Sequence, residues 1–146
     1  MRELAPDTIL SVRDLRTWFT TRRLTAKAVD GVTFELKRGQ TLAVVGESGS
    51  GKSVTSLSIM GLLSRPGAIE SGEVLFRDSK GIVHDLARTS QRGFRKLRGR
   101  EIAMIFQEPM TSLNPLYTVG EQIGEMIALH DNIGRDETRK RALEML

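Results

Sequence analysis

Between Val32 and Lys37 apolar and polar residues alternate, placing Val32, Phe34 and Leu36 on one face. Side chains along a strand point to opposite faces in turn, so this segment reads as a half-buried strand. The turn Lys37-Arg38-Gly39-Gln40 leads into Thr41-Leu42-Ala43-Val44-Val45. That run is short, apolar and β-branched at its end, and it stops at a glycine, which predicts a buried central strand. The stretch from Ser53 to Leu63 is long and apolar enough for a helix, stopped near Ser64-Arg65-Pro66-Gly67. Glu73-Val74-Leu75-Phe76 and Gly81-Ile82-Val83 predict two short strands around a polar turn at Asp78-Ser79-Lys80. Gln91 to Arg98 predicts a short basic helix, and Glu101 to Phe106 a second buried strand. From Gln107 to Tyr117 the pattern is a loop with two prolines. Thr118 and Glu121 have the spacing of a capping box and open another helix. A last helix is expected from about Asp136, with Leu143, Met145 and Leu146 keeping it apolar to the final position and no C-cap signal. That pattern carries the expectation that the native chain continues.

Candidate chemistry lies where the predicted central strand meets the first helix. Gly46-Glu47-Ser48-Gly49-Ser50-Gly51-Lys52-Ser53 matches G-x-x-x-x-G-K-[ST] at every fixed position. A triphosphate presents several charged oxygens that must be desolvated together. Backbone N–H groups reach all of them only if the chain curls around the phosphate. Gly46, Gly49 and Gly51 are expected to allow that curl through φ > 0 and the lack of a Cβ. The helix that follows aims its free N–H groups at the same place. Lys52 supplies a full positive charge to the β and γ phosphates, and the Ser53 hydroxyl is a hard ligand for Mg²⁺. A nucleoside triphosphate with Mg²⁺ is the implied ligand, and the motif alone leaves open small-molecule kinases, GTPases and ATP-driven motors and transporters. No second apolar strand ending in an acidic residue follows the loop, and the nearest, EIAMIFQE, ends in Gln107 and Glu108. Hydrolysis in this class needs such an acid, so the pattern assigns no catalytic residue.

Composition narrows the reading further. At 146 residues one domain is the natural expectation. There is no cysteine, so disulfides and thiolate metal sites are excluded. The start, MRELAPDTIL, lacks the layout of a signal peptide. No run approaches the ~18 apolar residues of a membrane span, so any membrane association is expected to be peripheral and made through partners. The net charge is +4. Arg88, Arg92, Arg95, Lys96, Arg98 and Arg100 form a basic stretch that no acidic residue interrupts. It reads as a solvated helix surface or as a nucleic-acid or anionic-lipid patch. Stacking aromatics are almost lacking, with only Phe94 in the run, which speaks against nucleic acid.

Taken together, GESGSGKS and the later MIFQEPMTSLNP resemble the ATP-binding subunits of ABC transporters, in the branch of bacterial dipeptide, oligopeptide and nickel importers. The resemblance runs from RDLRTWF through AVDGVTFELKRGQTLAVVGESGSGKS to TVGEQIGEMIALH. It implies an α/β fold: an incomplete P-loop NTPase core, an antiparallel β side sheet and the start of a helical subdomain. Residues 1–146 would form the N-terminal part of an ATP-binding domain, with the P-loop at 46–53, a Q-loop around 107 and the helical subdomain beginning over about 118–146. It also implies nucleotide binding by Phe19, Gly46, Glu47, Ser48, Gly49, Ser50, Gly51, Lys52, Ser53 and Gln107. Phe19 would stack on adenine, with Trp18 as the competing candidate, and Gln107 would join Ser53 on Mg²⁺. The implied partners are a second ATP-binding subunit, identical or different, and permease subunits reached through the Q-loop region. Neither nucleic acid nor direct membrane insertion is implied. The implied location is peripheral, on the cytoplasmic face of the bacterial inner membrane. An LSGGQ-type signature, an acidic strand with its glutamate and a histidine switch do not occur in the sequence, and neither His84 nor His130 stands in a matching context. ATP hydrolysis coupled to transport is therefore expected of the complete family member and not of these 146 residues alone. The alternatives are a truncated, non-hydrolytic nucleotide-binding module or gene remnant and, less in keeping with Gln107, a small phosphotransferase.

Overall fold

The computed structural model describes residues 4–106, 113–131 and 133–146. Two compact units divide the chain, Met1–Ala103 and Met104–Leu146. The first is built on a sheet of four antiparallel strands: β1 (Thr8–Thr20), β2 (Thr25–Lys37), β3 (Gly67–Arg77) and β4 (Val83–Asp85), in the order β2-β1-β3-β4. Helix α1 (Lys52–Ile59) follows β2, and a 3₁₀ turn at Leu86–Arg88 leads to α2 (Gln91–Leu97). The second unit holds α3 (Val119–Asp131) and α4 (Arg135–Glu144).

The antiparallel side sheet is thus present, and it is longer than the hydrophobic pattern indicated. The physical reason lies in its irregularities, which break the period of two. In β1, Val12 and Leu15 are both fully buried although three residues apart, because the ladder slips between them at Asp14, whose φ is 45°. Gly72 faces that slip on β3. A Cβ there would lie 2.5 Å from the Asp14 carbonyl oxygen, and its φ of 103° also demands glycine. β2 begins at Thr25, ahead of its alternating part, because the register also slips between Thr17 and Trp18 on β1, where Ala28 of β2 is left out of the pairing.

Val12, Leu15, Val29, Val74, Phe76, Leu86, Phe94 and Leu97 form the core. α1 joins it through Val54 and Ile59 and through a buried 2.8 Å hydrogen bond between the Ser58 and Thr17 hydroxyls. α1 stops at Ile59, short of the expected Leu63, because Gly61 turns left-handed at φ 61°. The Arg98 guanidinium then donates to the freed carbonyls of Met60 and Gly61 at 2.8 and 2.6 Å. A cation at the negative end of a helix is a favourable arrangement.

Two expected strands do not form as buried strands. Residues 41–45 carry no strand assignment, and Leu42, Val44 and Val45 are 44%, 55% and 87% exposed. Residues 101–106 show only an isolated bridge between Arg98 and Ile102, and Ile105 is 92% exposed. Their apolar composition is that of central strands. Such a strand is buried only when neighbours complete its ladder and other elements cover its faces, and no strand pairs with either run among the described residues.

α3 opens as the capping box required. The Thr118 N–H and hydroxyl both donate to Glu121 Oε2 at 2.8 Å, and the Glu121 N–H donates back to Thr118 Oγ1 at 3.2 Å. These bonds hold the Glu121 carboxyl below its ordinary value of 4.5, the backbone bond contributing most. α4 packs along α3, with Gly124 close to the Thr138 methyl.

Candidate phosphate-binding loop

The glycine-rich loop is placed by the elements on either side of it. After it, α1 is pinned to β1 by the Thr17–Ser58 hydroxyl pair. Beside it, the register slip that leaves out Ala28 lies close to Gly51. A Cβ on Gly51 would lie 2.4 Å from the Ala28 carbonyl oxygen, and Gly51 has φ 91°. Both its conformation and its contact therefore exclude a side chain. Within the loop the Ser50 N–H donates to the Glu47 carbonyl at 3.2 Å, a tight turn with Gly49 at φ 81° as its third residue. Position i+2 with φ > 0 is the place where a type II turn calls for glycine. Gly46 departs from expectation. Its φ is not in the left-handed region, and an added Cβ would meet the Ser50 hydroxyl at 2.7 Å. The curl comes from two of the three glycines, and Gly46 is confined by a neighbour that can move.

Lys52 folds back over this curl. Its Nζ donates to the Gly46 and Glu47 carbonyls, both at 2.7 Å, and lies 3.3 Å from Ser50 Oγ. Among the described residues only neutral dipoles balance the ammonium there, so an arriving anion meets a full positive charge already centred in the loop. Gly51 precedes α1 and offers no side-chain cap, so the N–H groups of the first turn keep no intrahelical or capping partner. The Ser53 hydroxyl is exposed at that end. The donor set thus suits phosphate oxygens, with one hard hydroxyl beside them for a divalent cation.

The candidate base platforms lie on β1. Thr17 and Phe19 are two residues apart on an evenly paired stretch against β3, hence on one face, and Thr17 touches α1. The Phe19 ring covers Gly67, where a Cβ would lie 2.6 Å from it. Trp18 points to the other face, where the Lys27 ammonium sits 4.7 Å from its ring centroid. Gln107 lies outside the described residues. Pattern reading missed Ala28, Thr17 and Ser58, which set the loop's position. Their signal is a backbone carbonyl and two small hydroxyls, which no spacing rule marks out.

The model of the ABC transporter family matches residues 29–146. The chain belongs to the ABC transporter family. It is 49% identical over 140 residues to the oligopeptide transport ATP-binding protein AppD of Bacillus subtilis, covering 95% of this chain and 41% of that one. It is 51% identical over 139 residues to the glutathione import ATP-binding protein GsiA of Pectobacterium atrosepticum, covering 94% of this chain and 22% of that one. The chain thus spans less than half the length of these relatives. Among solved structures, the dimeric ATP-binding cassette MJ0796 bound to ADP and Pi superposes with a TM-score of 0.72 at 23% identity, covering 93% of this chain and 55% of that chain. That likeness shows the fold. The α/β class of an ABC ATPase cassette, with an antiparallel sheet and helices, therefore stands. No helix among the described residues is long and apolar enough to cross a membrane.

Proposed function

We propose that the chain binds ATP with Mg²⁺ at residues 46–53 and serves as the nucleotide-binding part of a bacterial peptide importer's ATPase. The observation that carries this is the Lys52 ammonium, held among the described residues by the Gly46 and Glu47 carbonyls and the Ser50 hydroxyl at the uncapped start of α1. The backbone N–H groups of 46–53 would hold the phosphates, with Lys52 exchanging its carbonyl partners for β and γ oxygens. Ser53 and Gln107 would hold Mg²⁺, which neutralises charge on the phosphates when bound. Phe19, on the strand face that carries α1, would stack on the base.

The names of the relatives above speak of oligopeptides and glutathione, which supports a peptide cargo; nickel has no support in them. The dimer of MJ0796 supports pairing with a second ATP-binding subunit, identical or different. The family supports permease partners, contacted through the Q-loop region, and a peripheral position on the cytoplasmic side of the inner membrane. The Q-loop is assigned around 107 and the helical subdomain from about 118 onward. In the whole protein, ATP would favour the paired state only by binding it better than the open one.

The test is titration of full-length protein with a fluorescent ATP analogue and Mg²⁺, beside Lys52→Ala. The expected result is saturable, Mg²⁺-dependent binding that Lys52→Ala weakens at least tenfold, since about 1.4 kcal/mol is a factor of ten and a charge-assisted bond is worth about 1.5–3 kcal/mol. Undiminished binding in Lys52→Ala would overturn the site. Peptide uptake that persists in a strain carrying only Lys52→Ala would overturn the transport role.

A further inference from the structure

The fold sorts the six basic residues between Arg88 and Arg100 into different roles. Arg98 turns inward onto the Met60 and Gly61 carbonyls and lies 4.6 Å from the Phe94 ring centroid. Arg88 pairs with Asp85 at 3.6 Å. Arg92, Arg95, Lys96 and Arg100 stay exposed. No salt bridge forms at Arg92, Arg95 or Lys96 among the described residues; the nearby Glu101 is held by the Ser79 N–H and hydroxyl, both at 2.8 Å. Arg92, Arg95 and Lys96 stand at i, i+3 and i+4 and share one face of α2. Phe94 and Leu97, 2% and 5% exposed, fix the opposite side in the core. The helix is held at both ends. The Ser90 hydroxyl accepts from the Gly93 N–H at its start, and Arg98 is anchored to the end of α1. The stripe is therefore a rigid row of cations and not a floppy basic tail.

Such a row meets an anionic surface in one plane. Phe94 is the one aromatic in the run, and its burial leaves α2 no ring on which a base could stack, so single-stranded nucleic acid would gain only charge from it. A lipid headgroup layer needs nothing more than charge. We propose that the Arg92, Arg95 and Lys96 face of α2 is a docking surface for the anionic headgroups of a lipid bilayer, so that the protein touches the membrane directly as well as through protein partners. The inference stands on the charge arrangement and is independent of the ATP site.

The test uses full-length protein, purified without permease subunits, and sedimentation with vesicles of phosphatidylcholine alone or mixed with phosphatidylglycerol. Binding is expected to the mixed vesicles only, and to fade when salt shortens the Debye length from about 10 Å to about 3 Å. The triple variant Arg92→Gln/Arg95→Gln/Lys96→Gln is expected to lower partitioning by on the order of a hundredfold, and Arg95→Gln alone about fivefold, from the usual strength of one basic residue near such a surface. A charge-matched control, Arg22→Gln/Arg23→Gln/Lys140→Gln, changes exposed cations elsewhere and is expected to retain most of the binding. Circular dichroism and nucleotide binding should be unchanged in all three variants. Equal losses in the two triple variants would reduce the effect to net charge and overturn the surface. Equal binding to both vesicle types would overturn the preference for anionic lipid. Release from vesicles by a single-stranded oligonucleotide that binds tightly, and loses that binding in the α2 triple variant, would show a nucleic-acid surface instead.

Discussion

Gly46, Gly49 and Gly51 fill fixed or neighbouring positions of one motif, yet the structure constrains each differently. Gly51 has φ 91° and a backbone carbonyl 2.4 Å from where its Cβ would stand, and that carbonyl belongs to the sheet. Gly49 has φ 81° with nothing within 4 Å, and Gly46 meets side chains alone, the Ser50 hydroxyl nearest at 2.7 Å and able to rotate. The expected order of damage on substitution by alanine is therefore Gly51, then Gly49, then Gly46. Gly49→Ala should cost about 1–2 kcal/mol, the left-handed penalty alone, and Gly51→Ala distinctly more. Urea denaturation of the three variants checks the order, and a Gly49→Ala variant less stable than Gly51→Ala would contradict it. Thr17→Val removes one partner of the buried hydroxyl pair while Ser58 keeps its 2.6 Å bond to the Val54 carbonyl. A loss of about 1 kcal/mol is expected, with weakened nucleotide binding if that pair sets the position of α1.

Acid should act on particular elements before the core is affected. Glu121 is held below its ordinary value of 4.5 by the bonds from Thr118. A depressed folded value means that the contribution is complete above the ordinary value and is lost as pH falls through the lower, folded one. Protection against hydrogen exchange at the start of α3, relative to the intrinsic rate at each pH, should therefore fall below about pH 4.5, and Glu121→Gln should remove that dependence. Thr118→Ala should destabilise the helix by about 1 kcal/mol at neutral pH. The β3–β4 turn behaves alike. Asp78 is held below its ordinary 3.8, first by its 2.8 Å bond with His84 and then by the Ile82 and Lys80 N–H groups, against a desolvation cost. Glu101 is held low chiefly by Ser79 in the same turn. The turn and its tie to residue 101 should open together as pH falls below the usual carboxylate range, seen as line broadening at residues 78–84 before global unfolding. Asp78→Asn should abolish the Asp78 part of that response.

On the scale of the whole molecule, the buried core belongs to the antiparallel sheet with α1 and α2, while the most apolar runs outside it are uncovered. Leu42, Val44 and Val45 lead into the loop, and Ile105 and Phe106 lead toward residue 107, all of them exposed. A 146-residue polypeptide with such runs is expected to bind apolar dyes and to aggregate. Val45→Lys should make that polypeptide more soluble. Light scattering with and without Val45→Lys checks this, and a cooperative, monomeric melt of the wild-type polypeptide would count against it.

The sequence by itself determined the family, from segments spread along the chain, and three local features: the turn within 46–53, the Thr118–Glu121 cap and the Asp78–Lys80 turn. Each local feature depends on residues close in the chain, where spacing dictates geometry. The starts of α2 and α3 were also legible, because the Ser90 and Thr118 caps are local. Tertiary structure decided the rest. The lengths of β1, β2 and β3 were hidden because slips at Asp14 and Ala28 break the alternation on which strand reading depends. Runs 41–45 and 101–106 have the composition of buried strands, but burial is a property of neighbours and not of the run itself. The place of Gly51 against the Ala28 carbonyl joins residues far apart in sequence through backbone atoms that every residue possesses. For that reason no side-chain pattern could have marked it.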